Sequence, residues 1–157
     1  MSDAYGFAAR LIFAVLLVPS VAPAACLTLA SHPDGAPLAQ LALPDDATSF
    51  SISYLHSVTR TPVVERYRVG GEVIVETEIE FEQHGPGLPT EADAGGTFTR
   101  RDGQFIVTMD RHFEAIVMQV HAGQSPRLVA GMRSHDLAQW GNRAIVLAAI
   151  PGSCTGH

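Results

Sequence analysis

His56 and Glu65 are the residues of this chain whose types and spacing could make a site. Both stand in YLHSVTRTPVVERY, residues 54–67. An imidazole titrates near neutral pH, and a carboxylate can orient it. Such a pair could serve as base and orienter in a hydrolase, or hold the polar end of a small solute. A second reading is structural: a buried carboxylate needs a partner, and the pair could simply fix a corner. Around it, Tyr54, Ser57, Thr61 and Tyr67 are further candidate ligand-binding residues, with Gly85 and Gly87 of HGPGLPT (84–90). The amides of that second segment could face an anion, but Pro86 and Pro89 lack N–H donors.

Other chemistries find little support. Ser57 follows His56 directly, so in a strand the two side chains point oppositely and form no local dyad. There is no G-x-S-x-G elbow and no H-E-x-x-H helix. Asp110, His112 and His121 lack a diagnostic metal spacing. No catalytic residue, metal or cofactor is therefore assigned. The chain has no lysine, which removes Schiff-base chemistry and a Walker lysine.

The elements that must position these residues read as strands. Phe50, Ile52, Tyr54 and His56 share one face of an alternating run, and Val63, Glu65, Tyr67 and Val69 share a face of the next. Val73 to Phe81 alternates again, and Phe105, Val107 and Met109 continue the pattern. FEAIVMQVH (113–121) and RAIVLAAI (143–150) are more uniformly apolar, as central or doubly covered strands are. Asp102-Gly103 is a two-residue hairpin signal. For the hairpin over 63–81, a three-residue loop at 70–72 sets Arg66 opposite Glu76 and Val64 opposite Glu78. A Gly70-Gly71 turn would instead oppose Glu65 to Glu76, so the longer loop is preferred. It turns Glu65 inward beside Val63, Tyr67 and Thr77, and leaves Glu76, Glu78, Glu80 and Glu82 as a solvated face. One short helix is expected, capped by Ser134, with Asp136 in its first turn and Gly141 at its end. The sum is an all-β, antiparallel sandwich or barrel-like single domain over residues 25–157.

Residues 1–24 have the order of a secretory signal: Arg10, the apolar run LIFAVLLV (11–18), then small residues with cleavage expected after Ala24. Eight apolar residues are too few for a span, so no membrane segment is expected after processing. Cys26 and Cys154 are the two cysteines. In an exported protein they are candidates for a disulfide, with lipidation of Cys26 as the rival. The net charge of −6 opposes nucleic-acid binding.

The segments Tyr54-Leu55-His56-Ser57-Val58 and Thr61-Pro62-Val63-Val64-Glu65-Arg66-Tyr67 resemble the paired motif of the bacterial domain of unknown function 1850 family. Gly85-Pro86-Gly87-Leu88-Pro89 is similar to its downstream Gly-Ala-Gly-Leu-Pro, with Pro86 in place of Ala. The resemblance spans roughly residues 26–150. It implies a small periplasmic accessory protein of tripartite ATP-independent periplasmic (TRAP) transporters with a TAXI-type solute receptor. The implied partners are that receptor or the permease, and a small organic solute. It supplies no catalytic residues. The expected function is a non-enzymatic binding partner; the alternatives are a periplasmic hydrolase using His56 and Glu65, or a purely structural interaction module.

Overall fold

The computed structural model describes residues 25–43, 48–152 and 154. The expected signal segment and its cleavage site lie outside them. Among the described residues eleven strands run β1 (Ala25–Ser31), β2 (Pro37–Leu43), β3 (Ser49–Leu55), β4 (Pro62–Gly70), β5 (Val73–Phe81), β6 (Phe98–Arg101), β7 (Gln104–Phe113), β8 (Ala115–Val120), β9 (Arg127–Ala130), β10 (Arg133–Asp136) and β11 (Arg143–Pro151). They form two antiparallel sheets. One has the order β2-β1-β11-β8, the other β10-β9-β3-β4-β5-β7-β6. The fold is all-β, as the alternating runs predict.

Apolar residues from both sheets meet between them. Leu27, Leu29, Ile145 and Leu147 of the smaller sheet pack with Phe50, Ile52, Tyr67 and Leu128 of the larger. Phe50 and Tyr67 are direct cross-strand partners, and their rings stack with centroids 4.9 Å apart. The larger sheet is wider than the smaller. Past β8 its inner face is covered by the long β5–β6 connection, residues 82–97. There Leu88 and Ala92 pack on Val63, Ile79, Phe81, Val107 and Met109 as a second cluster. Tyr54 touches both clusters, so it marks the seam between them.

Several local expectations need correction. Only β11 of the two apolar runs is central; β8 is an edge strand, and Val117 on its outer face is 56% exposed. The expected helix is a 3-10 turn, Leu137–Trp140, preceded by a shorter one at Ala122–Gln124. Its cap is Asp136, whose carboxylate accepts the Ala138 N–H at 2.9 Å, while Ser134 lies in β10. Gly141 ends it with φ 84°. The Asp102-Gly103 turn does have both residues at positive φ, 53° and 86°.

The β4–β5 register differs from both alternatives. The turn is Gly71-Glu72, with Gly70 opposite Val73 and Tyr67 opposite Glu76. Gly71 takes φ 67°, the glycine-first arrangement of a tight hairpin turn. The register then slips by one, so that Arg66 faces Glu78 and Glu65 faces Ile79. Thr77 is the extra residue, a β-bulge whose hydroxyl donates to the Arg66 carbonyl at 3.1 Å. On the other side of β5 the register slips again, with Glu76 opposite Arg111 and Glu78 opposite Thr108.

Cys26 and Cys154 form a disulfide across 128 positions of sequence. The Cys26 side chain is fully buried, so its sulfur is not free for a lipid thioether. Closing so long a loop is worth about 5 kcal/mol in the chain-entropy model. Reduction, or a Cys26→Ser/Cys154→Ser variant, should lower the unfolding free energy extrapolated from urea titration by an amount approaching that figure. Intact-mass analysis before and after reduction checks the bond itself.

Candidate functional site

The bulge at Thr77 sets the chemistry of the interior. Along β5, Ile74 and Glu76 point inward on one side of it, Ile79 and Phe81 on the other. Without the extra residue the alternation would keep Glu76 on the outer face with Glu78 and Glu80. Those two behave as the sequence predicts, pairing outward with Arg66 at 2.7 and 2.9 Å. Glu76 does not: it is only 7% exposed. This corrects its assignment to the solvated face. A run of alternating glutamates carries no sign of a bulge at the one threonine inside it.

Glu76 opens onto a cavity of about 390 Å³ at the seam between the two apolar clusters. One wall is the larger sheet, with Ile52, Tyr54, Glu65, Tyr67, Ile79 and Arg111. Facing them is β8 with Ile116, Met118 and Val120, and Gly87 and Pro89 of the 82–97 connection close a side.

Glu65 is held at the centre of a polar clamp. Tyr54 Oη donates to its Oε1 at 2.8 Å, and Tyr67 Oη donates to its Oε2 at 2.7 Å. Hydrogen bonds to an ionised oxygen are strong, and here they replace the water a buried carboxylate loses. Burial first, then the Glu65 charge and these same bonds, push both phenols well above their ordinary range. They remain protonated donors.

Glu76 has no such clamp. Among the described residues it accepts no hydrogen bond, and its one charge contact is Arg111 Nη1 at 3.8 Å. That guanidinium is already engaged with Asp93 through Nε and through Nη2, the latter at 3.0 Å. The Asp93 hydrogen bond raises the Arg111 pKa further, and Arg111 in turn holds Asp93 below the usual carboxylate range. Burial pushes Glu76 up to about 7, with the Glu65 charge acting the same way and Arg111 opposing.

His56 and Glu65 do not form a pair. His56 is 5% exposed and is absent from the cavity lining. Its Nδ1 accepts the N–H groups of Val58 and Thr59, each at 3.2 Å, and its Nε2 lies 3.0 Å from the Pro86 carbonyl. A carbonyl only accepts, so the neutral ring carries its proton on Nε2. Both nitrogens are used by backbone. The imidazole thus ties the β3–β4 corner to the 84–90 segment. Gly85 lies against it so closely that a Cβ there would stand 2.5 Å from His56 Cε1. Gly87 takes φ 89° after Pro86, and the Leu88 N–H bonds the Gly85 carbonyl at 3.1 Å, a turn with Pro and Gly at its two centres.

Of the sequence candidates, then, Tyr54, Glu65, Tyr67 and Gly87 line the cavity together. His56, Ser57, Thr61 and Gly85 belong to the corner beside it. Thr61 meets Thr59 side chain to side chain at 2.9 Å. Sequence reasoning missed Glu76 and Arg111. His56 and Glu65 share no hydrogen bond, and of the two only Glu65 lines the cavity. Asp110 and His112 approach to 3.2 Å on the exposed face of β7, and no group of three ligating side chains among the described residues could hold a metal.

A family model described as "Domain of unknown function (DUF1850)" matches residues 50–137, more than half of the chain. The chain belongs to the DUF1850 family. Nearly all of the larger sheet, β8 and every residue lining the cavity fall within the DUF1850 match; β1, β2, β11 and both cysteines lie outside it. No match to the chain was found among curated proteins or among solved structures.

Two outcomes follow for the site. Because the folded-state pKa of Glu76 lies above the ordinary carboxylate value, the native state binds more protons than the unfolded chain between about pH 4.5 and 7. Thermal stability should fall as pH rises through that window and level off above it. Glu76→Gln should flatten the profile and raise Tm at pH 8, as scanning calorimetry would record. His56→Ala should cost about 2–3 kcal/mol in urea unfolding, the range for a buried, hydrogen-bonded side chain.

Proposed function

We propose that this DUF1850 protein is an exported, non-enzymatic binding protein whose inter-sheet cavity takes a small organic solute. The observation that carries this reading is the cavity itself. Interiors of small domains pack to crystal-like density, yet about 390 Å³ is left open here beside one buried glutamate, Glu76, and one half-buried, Glu65. That volume is in the range of small-molecule sites, which combine apolar walls with a few convergent polar groups. Ile52, Ile79, Ile116, Met118 and Val120 supply apolar walls, and Glu65, Glu76, Arg111, Gln119 and Gln124 the polar groups.

Two observations support an exported setting. A disulfide that closes almost the whole described chain fits an oxidising environment. Residues 1–24 read as a secretory signal. The periplasm agrees with both. The motifs around Tyr54 and Glu65 further support an accessory role beside a TRAP-type uptake system with a TAXI-type receptor. In that role the protein would hand solute to, or dock on, the solute receptor or the permease.

Thermal-shift and calorimetric titration against amino acids, amines and dicarboxylates tests the binding. A ligand at 100 times its Kd adds about 2.7 kcal/mol of stability, which raises Tm by several degrees. Co-purification from membranes tests the partnership. A flat response across the solutes, with no transporter subunit retained, removes the proposal.

A further inference from the structure

The solute-cavity reading leaves the class of ligand open, and the charges around the cavity narrow it. We propose that the cavity binds a small organic ammonium ion, an amine cation with an apolar body whose charge is received by Glu76. This rests on the cavity being a solute site, and it adds the sign of the solute's charge.

Glu76 is the side chain that asks for a partner. It is more than nine-tenths buried and lines the cavity. Among the described residues nothing hydrogen-bonds to it, and Arg111 stays 3.8 Å away, turned to Asp93. Buried carboxylates are otherwise satisfied by donors, as Glu65 is by its two phenols. An ammonium group has three N–H donors and a positive charge, and so supplies what Glu76 lacks.

The sum of charges excludes the opposite ligand. Glu76 and Asp93 share the Arg111 guanidinium, and the Glu65 charge acts on Glu76 from the same wall. An anion entering the cavity would meet two carboxylates and find Arg111 already shared. A neutral alcohol would satisfy a hydrogen bond and leave the charge without a counter-ion. Tyr54 and Tyr67 have spent their hydroxyls on Glu65, so what they offer a ligand is ring surface, which attracts cations. The opposite wall, β8, contributes Ile116, Val117, Met118 and Val120 with the neutral Gln119 and no titratable group, and the 82–97 connection contributes Gly87 and Pro89 there. These suit the apolar body.

Proton linkage gives the proposal a second signature. The groups facing Glu76 are Tyr54 of β3, Glu65 and Tyr67 of β4, Arg111 of β7 and Asp93 of the connection. Tyr54 and Tyr67 keep their protons, and burial brings Glu76 up to about 7. A bound cation favours its ionised form. Binding should therefore release a proton and strengthen as pH rises from 6 to 8.

Three probes of similar shape separate the possibilities in isothermal titration of the oxidised protein: phenethylammonium, 2-phenylethanol and 3-phenylpropanoate. The ammonium ion should bind about tenfold or more tighter than the alcohol, with the propanoate weakest. Glu76→Gln should remove that preference and the pH dependence while circular dichroism reports an unchanged fold. Should Glu76→Gln fail to fold, the pH 6 to 8 dependence of the natural protein and the order of the three probes decide. Tighter binding of the alcohol or the propanoate overturns the ammonium assignment and leaves the solute cavity standing. So does a preference that survives Glu76→Gln. No binding by any probe overturns the assignment too, and together with a flat response to the wider solute set it overturns the cavity reading as well.

Discussion

A carboxylate between two apolar sheets must be solvated by the protein itself, and the interior of this sandwich is arranged around that requirement. Glu65 meets it with two phenols, one from its own strand and one from its neighbour. The clamp fixes Tyr54 and Tyr67 together. Tyr67 in turn stacks on Phe50, and Tyr54 joins the two apolar clusters at their seam. Removing the carboxylate would leave two buried hydroxyls without acceptors, so these groups stand or fall as a unit. The cost of desolvation is thereby met locally for Glu65 and left partly unmet for Glu76. That asymmetry separates a structural carboxylate from an available one.

How much of this could be read from the sequence depends on what each residue's neighbours disclose. The alternation of Val63, Glu65, Tyr67 and Val69 placed Glu65 inward, and the structure agrees. The turn at Asp102-Gly103 was legible because two positive φ angles suit few residue pairs. The disulfide was legible because two cysteines allow only one intramolecular pairing. Glu76 was not. Its direction depends on a bulge, and a bulge is a property of three strands at once. Thr77 is chemically ordinary, and the two slips on either side of β5 leave no mark in composition or period. Arg111 escaped for the same reason, since its place opposite Glu76 follows from the second slip.

His56 is an instructive opposite. Its type and spacing suggested chemistry, and in the structure both of its ring nitrogens meet backbone groups. Imidazole can accept at one nitrogen and donate at the other, and the β3–β4 corner and the 84–90 turn use both. Gly85 is required at that contact by sterics alone. A motif holding His, Glu, Gly and Pro can therefore be specific to a family because a corner demands it. The cavity borrows from that corner only its rigidity: Gly87 and Pro89 stand where they do because His56 holds the segment they belong to.

The disulfide has a consequence for the topology of the covalent chain. With Cys26 bonded to Cys154, everything between them is a closed ring. One peptide bond cut inside that ring, in the long 82–97 connection for instance, linearises the ring and releases no fragment. A protease would have to cut twice within the ring before any piece could leave.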